Sequence, residues 1–281
     1  MRVTILGSSG QIGAYLTEYL RKKGHEVTEF DKNHDEKEDM TVIPNLKLHG
    51  AIMNSDFVFF LAFDVGGSHY LKKYQHTFGF LDNNARMMVN AFEYIQQYNK
   101  PFVFASSQMS NMSYSPYGVM KRVGELYTKS LNGLIVKFWN VYGIENDMEK
   151  AHVITDFIAK GFETGTIDMM TDGTEQREFL YAEDCCEALE TVMGKYSDFT
   201  SSDELHITSG VSTSILEIAK TIQLYFSGEE KEVKIVPASS KDEVQKDARN
   251  IPDPYIKKWW QPKTDVVDGL TKVFEEMKKN Y

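Results

Sequence analysis

The chain has 281 residues, enough for one large or two modest domains with a buried core. Its 42% hydrophobic and 26% charged residues are those of a soluble globular protein, and a formal net charge of -10 argues against nucleic acid or an anionic membrane as the main partner. The two cysteines, Cys185 and Cys186, are adjacent and fit neither a disulfide framework nor a metal-ligand spacing, so buried thiols, no metal and a reducing, cytoplasmic location are expected.

The N-terminus runs directly into a strand-like stretch with no secretory pattern, and the longest apolar run, Phe57 to Phe63, is too short to span a bilayer. RVTILG (2–7) reads as a buried strand, 11–23 as a helix, HEVTEF (25–30) as a second strand and DFVFFLAF (56–63) as another. A long helix follows over 77–98, then a strand at PFVFAS (101–106), a helix over 115–131 and a strand at GLIVKFW (133–139). This alternation predicts parallel βαβ units with helices on both faces. The second half is more mixed. It has polar loops at 227–232 and 238–243 and a closing helix over 264–279, with Val266, Leu270, Val273, Phe274 and Met277 on one side. In the 77–98 helix, Phe78, Leu81, Ala85, Met88, Phe92 and Ile95 recur at alternating steps of three and four. Such a seam either packs on the sheet or, with 115–131, forms the helix bundle of a homodimer.

LGSSGQIG places Gly7, Gly10 and Gly13 between the first strand and the first helix. Glycines there allow a tight turn and let a pyrophosphate approach the helix N-terminus, whose amides and dipole favour negative charge. Ser9, Gln11 and Ile12 belong to the same loop. Asp31 ends the second strand, where a carboxylate accepts hydrogen bonds from ribose hydroxyls and repels a 2′-phosphate. The cofactor expected is therefore NAD. Further on, Tyr117 and Lys121 stand four apart in YGVMK, one helical turn or roughly 6 Å along the axis, and share a face. Facing a nicotinamide, the Lys121 ammonium and the nicotinamide cation would both lower the Tyr117 pKa, and the tyrosinate could take a proton from a substrate hydroxyl while Ser107 holds the same oxygen.

In chain order, GSSGQIG, Asp31, LAFDVGG, FASS, SPYGVMKRVGE, NVYG, REFLYAED, TSGVSTSILEIA and WWQPKT resemble the NAD-dependent epimerase/dehydratase family of extended short-chain dehydrogenases/reductases, which act on nucleotide sugars. The resemblance covers nearly the whole chain. It implies an α/β protein: a Rossmann-type doubly wound parallel sheet with a smaller mixed α/β C-terminal substrate domain. Residues 1–142 would bind NAD, with 177–209 returning to that domain, and 143–281 would mainly bind substrate. It makes Ser107, Tyr117 and Lys121 the catalytic residues, and has Leu61, Ala62, Ala105, Ser106, Tyr117 and Lys121 contact the cofactor with Phe138 near the nicotinamide. Trp139 and Asn140 would face the sugar nucleotide, and Arg177 and Arg249 its diphosphate, where arginine binds in bidentate fashion.

Departures from the family pattern narrow the reaction. The 4,6-dehydratases carry an acid directly after the catalytic Ser or Thr, whereas here Gln108 and Met109 follow Ser107, which disfavours dehydration and the related decarboxylation. AFDVGG, HVIT (152–155) and REFL resemble the GDP-sugar 3,5-epimerase/4-reductases, and His152 falls at their catalytic histidine, but their cysteine partner aligns with Gln108. Only ten positions separate Ser107 from Tyr117, a short loop that leaves a more open sugar site. The expected activity is nucleotide-sugar epimerisation through hydride transfer at C4. A dehydrogenase or 4-ketoreductase would use the same three residues, and a non-catalytic dinucleotide-binding sensor or a dehydrogenase of a small hydroxy compound are the alternatives of another kind.

Overall fold

A computed structural model describes residues 1–245 and 250–281. In chain order the elements are β1 (Arg2–Leu6), α1 (Gln11–Lys22), β2 (Glu26–Phe30), α2 (Leu46–Asn54), β3 (Phe57–Phe60), α3 (Ser68–Tyr74) and α4 (Phe78–Gln97). Then come β4 (Phe102–Ser107), α5 (Pro116–Ser130), β5 (Leu134–Phe138), β6 (Asn140–Tyr142), α6 (Val153–Thr164), β7 (Thr166–Asp168), β8 (Gln176–Tyr181) and α7 (Ala182–Gly194). The rest are β9 (Glu204–Ile207), β10 (Ser212–Ser214), α8 (Ile215–Gly228), β11 (Lys234–Val236) and α9 (Val266–Lys278).

Strands β1, β3, β4 and β5 are almost wholly buried and mostly apolar because helices cover both faces of their sheet. That sheet is parallel and runs in the order β2-β1-β3-β4-β5-β9. One face packs on α1 and α7, around Leu16, Leu20, Cys185 and Leu189. The other packs on α2, α4 and α5, around Leu48, Ile52, Met88 and Phe92. The chain leaves β1 towards β2 on one side and returns to β3 on the other. This reversal opens a crevice beyond the carboxyl ends of β1 and β3, where ligands bind in doubly wound sheets. Strand β9 joins the sheet beside β5, so residues 204–207 return to the first half of the chain.

A second apolar cluster lies outside that sheet. Helices α6, α8 and α9 bury Phe157, Ile158, Ile222, Phe226, Val273 and Phe274 together, against Tyr142 of β6 and Phe179 of β8. Strands β10, β8 and β6 form a small sheet, and β11 pairs with β7. Strand β6 follows β5 after one residue and hands the chain from the large sheet to this smaller region, so Trp139 and Asn140 sit at the junction.

The seam expected on the long helix splits. Met88, Phe92 and Ile95 are buried in the protein's own core, and Phe92 stacks on Tyr127 of α5 at 5.3 Å. They cannot serve a bundle with a second copy. Phe78, Leu81 and Val89 instead point outward, with Val119, Leu126 and Tyr127 of α5. Helices α2 and α3 have no counterpart in the sequence reading. No helix among the described residues is long and apolar enough to cross a membrane.

Candidate active site

The glycine loop is shaped by two close approaches. Gly7 has φ +90°, and a Cβ there would lie 2.6 Å from the Ala62 nitrogen at the end of β3. A Cβ on Gly13 would lie 2.1 Å from the Gly7 carbonyl oxygen. These contacts press α1 against the strand ends, and no side chain caps its first turn. Its free amides face the cleft, an arrangement fitted to a phosphate. At the end of β2, Asp31 accepts hydrogen bonds from the Ser9 amide at 3.1 Å and the Asn33 amide at 3.0 Å. The Asp31 carboxylate is thus fixed beside the loop. An absent Cβ, open amides and a carboxylate on the neighbouring strand together fit a dinucleotide.

The next wall comes from β4 and α5. Ser115 caps α5 by accepting from the Gly118 amide, and Pro116 occupies the first turn, where its missing N–H costs nothing. This fixes the rotation of α5 and turns Tyr117 and Lys121 inward. Ser107 ends β4, accepts from the Met109 amide at 3.2 Å and lines the cleft beside Tyr117. Burial pushes the Tyr117 pKa up to about 12, although Ser107 pulls the other way. Burial also lowers Lys121 to about 7. Its Nζ donates to the Ala105 carbonyl oxygen at 2.6 Å and lies 3.7 Å from the centre of the Phe63 ring. Burial thus sets the Tyr117 shift, opposed only by Ser107, and Lys121 is turned to a carbonyl; the expected depression belongs to a cleft that holds the nicotinamide cation.

All the residues singled out from the sequence that fall among the described residues line one cleft of about 520 Å³. Gly7, Ser9, Gly10, Gln11, Ile12, Gly13 and Asp31 form one end, and Leu61, Ala62, Ala105 and Ser106 the floor. Ser106 is buried, and its hydroxyl is committed to Glu125 at 2.6 Å. Phe138, Trp139 and Asn140 follow from the end of β5, with His152 and Arg177 from the smaller region. Arg249 lies outside the described residues.

Several partners were not foreseen. Trp139 donates its indole N–H to Nδ1 of His206 at 3.2 Å. His152 meets Glu145 twice, through Nδ1 and the backbone amide, both at 2.7 Å. Burial lowers the His152 pKa, but the Glu145 charge and hydrogen bond more than compensate, and the net shift is upward. Asp64 accepts from Tyr70 at 2.6 Å and from Lys150 at 3.2 Å. Burial raises its pKa, yet these partners outweigh it and hold the carboxyl below its usual range. The Gln108 side chain donates to Gln245 at 3.0 Å and accepts from Asn250 at 3.0 Å. Arg177 is not free: it pairs with Asp242 and donates to its neighbour's carbonyl, Gln176 O, at 2.7 Å. None of these pairs has a sequence signal, since their members lie in different elements or in loops without a repeat.

The sequence profile of the family described as "NAD dependent epimerase/dehydratase family" matches residues 3–207. The chain belongs to this family. It is thus related to NAD-dependent enzymes of the extended short-chain dehydrogenase/reductase type, and NAD is the cofactor that the glycine loop and Asp31 fit. Among curated relatives, a GDP-L-fucose synthase of Sinorhizobium fredii is 30% identical over 50% of this chain and 45% of its own. The chain thus spans about half the length of that relative. An epimerase from Methanothermobacter thermautotrophicus shares the fold at a TM-score of 0.85 with 21% identity, over 99% of this chain and 92% of its own. A UDP-glucose 4-epimerase from Thermotoga maritima, solved with UDP-glucose, does so at 0.82 with 19% identity, over 100% and 99%. At these identities the likeness shows the fold.

Proposed function

We propose that this family member is a nucleotide-sugar epimerase that works by hydride transfer at a sugar hydroxyl, C4 first. The observation that carries the reading is the meeting of Ser107, Tyr117 and Lys121 on the cleft that the glycine loop opens. Gly7, Gly10 and Gly13 with Asp31 would hold NAD, which when bound would supply reversible hydride acceptance at the carbinol carbon. In its phenolate form, favoured over the buried phenol by the positive charge of a nicotinamide beside it, Tyr117 Oη takes the proton of the sugar hydroxyl and gives it back to the ketone oxygen. Ser107 Oγ holds that oxygen through both steps. Lys121 anchors the helix face beneath them through the Ala105 carbonyl.

Gln108 supports epimerisation over elimination. It follows Ser107 where the dehydratases carry an acid, and its amide is occupied by Gln245 and Asn250, so it is no proton donor. Trp139, Asn140, His152 and Arg177 are assigned to the nucleotide sugar. A dehydrogenase or 4-ketoreductase is the second reading, favoured by the His152–Glu145 pair on the cleft and by the GDP-L-fucose synthase likeness. The outward apolar residues of α4 and α5 support a homodimer through those helices.

The test is thermal unfolding with NAD against UDP-, GDP-, dTDP- and CDP-sugars, followed by product analysis. A ligand at one hundred times its dissociation constant adds about 2.7 kcal/mol of stability. An epimerised sugar without net NADH accumulation supports the first reading. Stoichiometric NADH formation, or NADH oxidation with a keto-sugar, replaces it with the second. A shift with NAD and none of the sugars removes the nucleotide-sugar assignment.

A further inference from the structure

Arg177 projects from β8 into the cleft with only 14% of its side chain exposed. Its charge is met by Asp242, from the loop after β11, whose side chain is 15% exposed. The Asp242 Oδ1 atom also accepts from the amides of Val244 at 2.7 Å and Gln245 at 3.3 Å, so the carboxylate is built into a tight turn. That turn reaches the catalytic side. Val244 is buried in one apolar cluster with Tyr117, Met109 and Met112, and Gln245 accepts from Gln108. A segment of four residues, 242–245, thus touches both the arginine and the surroundings of the tyrosine.

A carboxylate and a phosphate make the same charge-assisted, fork-shaped contact with a guanidinium. Both cannot hold the same Arg177 nitrogens. We propose that Asp242 is an internal anion that occupies Arg177 and is displaced by the diphosphate of the substrate, and so sets the affinity of the site for nucleoside diphosphates. This rests on the reading of Arg177 as a diphosphate ligand. The exchange carries no covalent step. It releases the 242–245 turn, and Val244 with it, from the Tyr117 side when the diphosphate arrives.

The experiment is calorimetric titration of the full chain, saturated with NAD, with UDP, GDP, CDP and dTDP. Asp242→Asn keeps the carbonyl oxygen that the Val244 and Gln245 amides use and removes the charge from Arg177. Glu243→Gln removes the same charge one residue away, from an exposed side chain. The expected result is that Asp242→Asn tightens the nucleotide that the wild type binds by about tenfold, roughly the weight of one charge-assisted contact. Glu243→Gln changes it by less than about twofold, as an exposed charge should. In an Arg177→Ala background the Asp242→Asn gain disappears, as required if the two residues act on one another. If Asp242→Asn does not fold, Asp242→Ser, whose hydroxyl can accept from the same amides, takes its place. Equal gains in the two charge removals, a gain that survives Arg177→Ala, or weaker binding by Asp242→Asn overturns the proposal while leaving diphosphate binding intact. No binding of any of the four nucleotides by the wild type or the variants overturns the diphosphate reading together with it.

Discussion

Lys121 Nζ donates to the Ala105 carbonyl oxygen at 2.6 Å, from a side chain only 3% exposed residue-wide. Burial brings its pKa down from 10.5 to about 7. Between those values the unfolded chain binds a proton at this position and the folded chain does not. Stability contributed by this residue therefore rises with pH through that window and is lost as pH falls towards 7. Lys121→Met removes the titration. The wild type should gain stability relative to the variant by up to about 1.4 kcal/mol per pH unit above pH 7. Urea unfolding of both proteins from pH 7 to 9 checks this, and parallel curves would show that the lysine is not held neutral by burial.

Tyr117 is the proposed proton carrier, and Tyr117→Phe removes one oxygen while keeping the ring against Phe63. Turnover of the responsive nucleotide sugar should fall by about a thousandfold, within the range for a positioned acid–base group. NAD affinity should stay within about twofold, because the phenol is not part of the glycine loop. Undiminished turnover would move the proton step to another group, with His152 the first to examine.

Gly13 and Gly10 separate packing from phosphate approach. A Cβ on Gly13 would meet the Gly7 oxygen at 2.1 Å, while one on Gly10 would sit 3.4 Å from the same atom. Gly13→Ala should cost about 1–3 kcal/mol of stability, as overpacking does, and weaken NAD at least about tenfold. Gly10→Ala should leave stability nearly unchanged and weaken NAD alone. Matched unfolding and NAD titrations read both. Equal stability losses would mean that the two glycines serve one packing role.

Leu126 is 58% exposed and Phe78 80% exposed on the outer face of α4 and α5. If that face joins two copies, Leu126→Glu places a charge in an apolar contact and should yield monomers by light scattering at concentrations where the wild type is dimeric. A wild type that is monomeric at 0.1 mM, on the order of the highest working concentrations, withdraws the dimer.

The sheet was legible because its signals are local. Strands β3 and β4 each carry four consecutive apolar residues, β1 and β5 are apolar but for one buried polar residue each within the run, and the glycine loop sits between the first strand and helix. Ser107, Tyr117 and Lys121 were legible because a strand end and one helical turn suffice to relate them. The long helix was read less well. Spacing alone gives the apolar seam but not which neighbour covers it, and here Met88 and Phe92 turn to the sheet while Val89 turns out. The pairs that shape the substrate end were not legible at all. Asp242 reaches Arg177 across 65 residues and His206 reaches Trp139 across 67, and no periodicity links positions so far apart.

His206 is the residue that sequence reading missed at the substrate end, and its role is testable apart from any substrate. The indole N–H of Trp139 requires an acceptor at Nδ1, so the ring must be neutral with its proton on Nε2. Burial, then the neighbouring Lys137 charge, lowers the His206 pKa and favours that form. Glu204, Asp253 and Glu125 act in the opposite sense but do not prevail. His206→Asn offers an amide oxygen close to the Nδ1 position, whereas His206→Leu offers nothing and leaves the indole N–H without its partner. The leucine variant should shift the Trp139 emission, isolated by subtracting the same spectra recorded in a Trp139→Phe background, and lose about 1 kcal/mol of stability. The asparagine variant should restore both. Once a nucleotide sugar is identified, the leucine variant should raise its KM and leave kcat within about twofold, because the indole forms a wall of the cleft and Tyr117 is untouched. A leucine variant with unchanged emission and KM would show that Trp139 is held by its packing and not by His206.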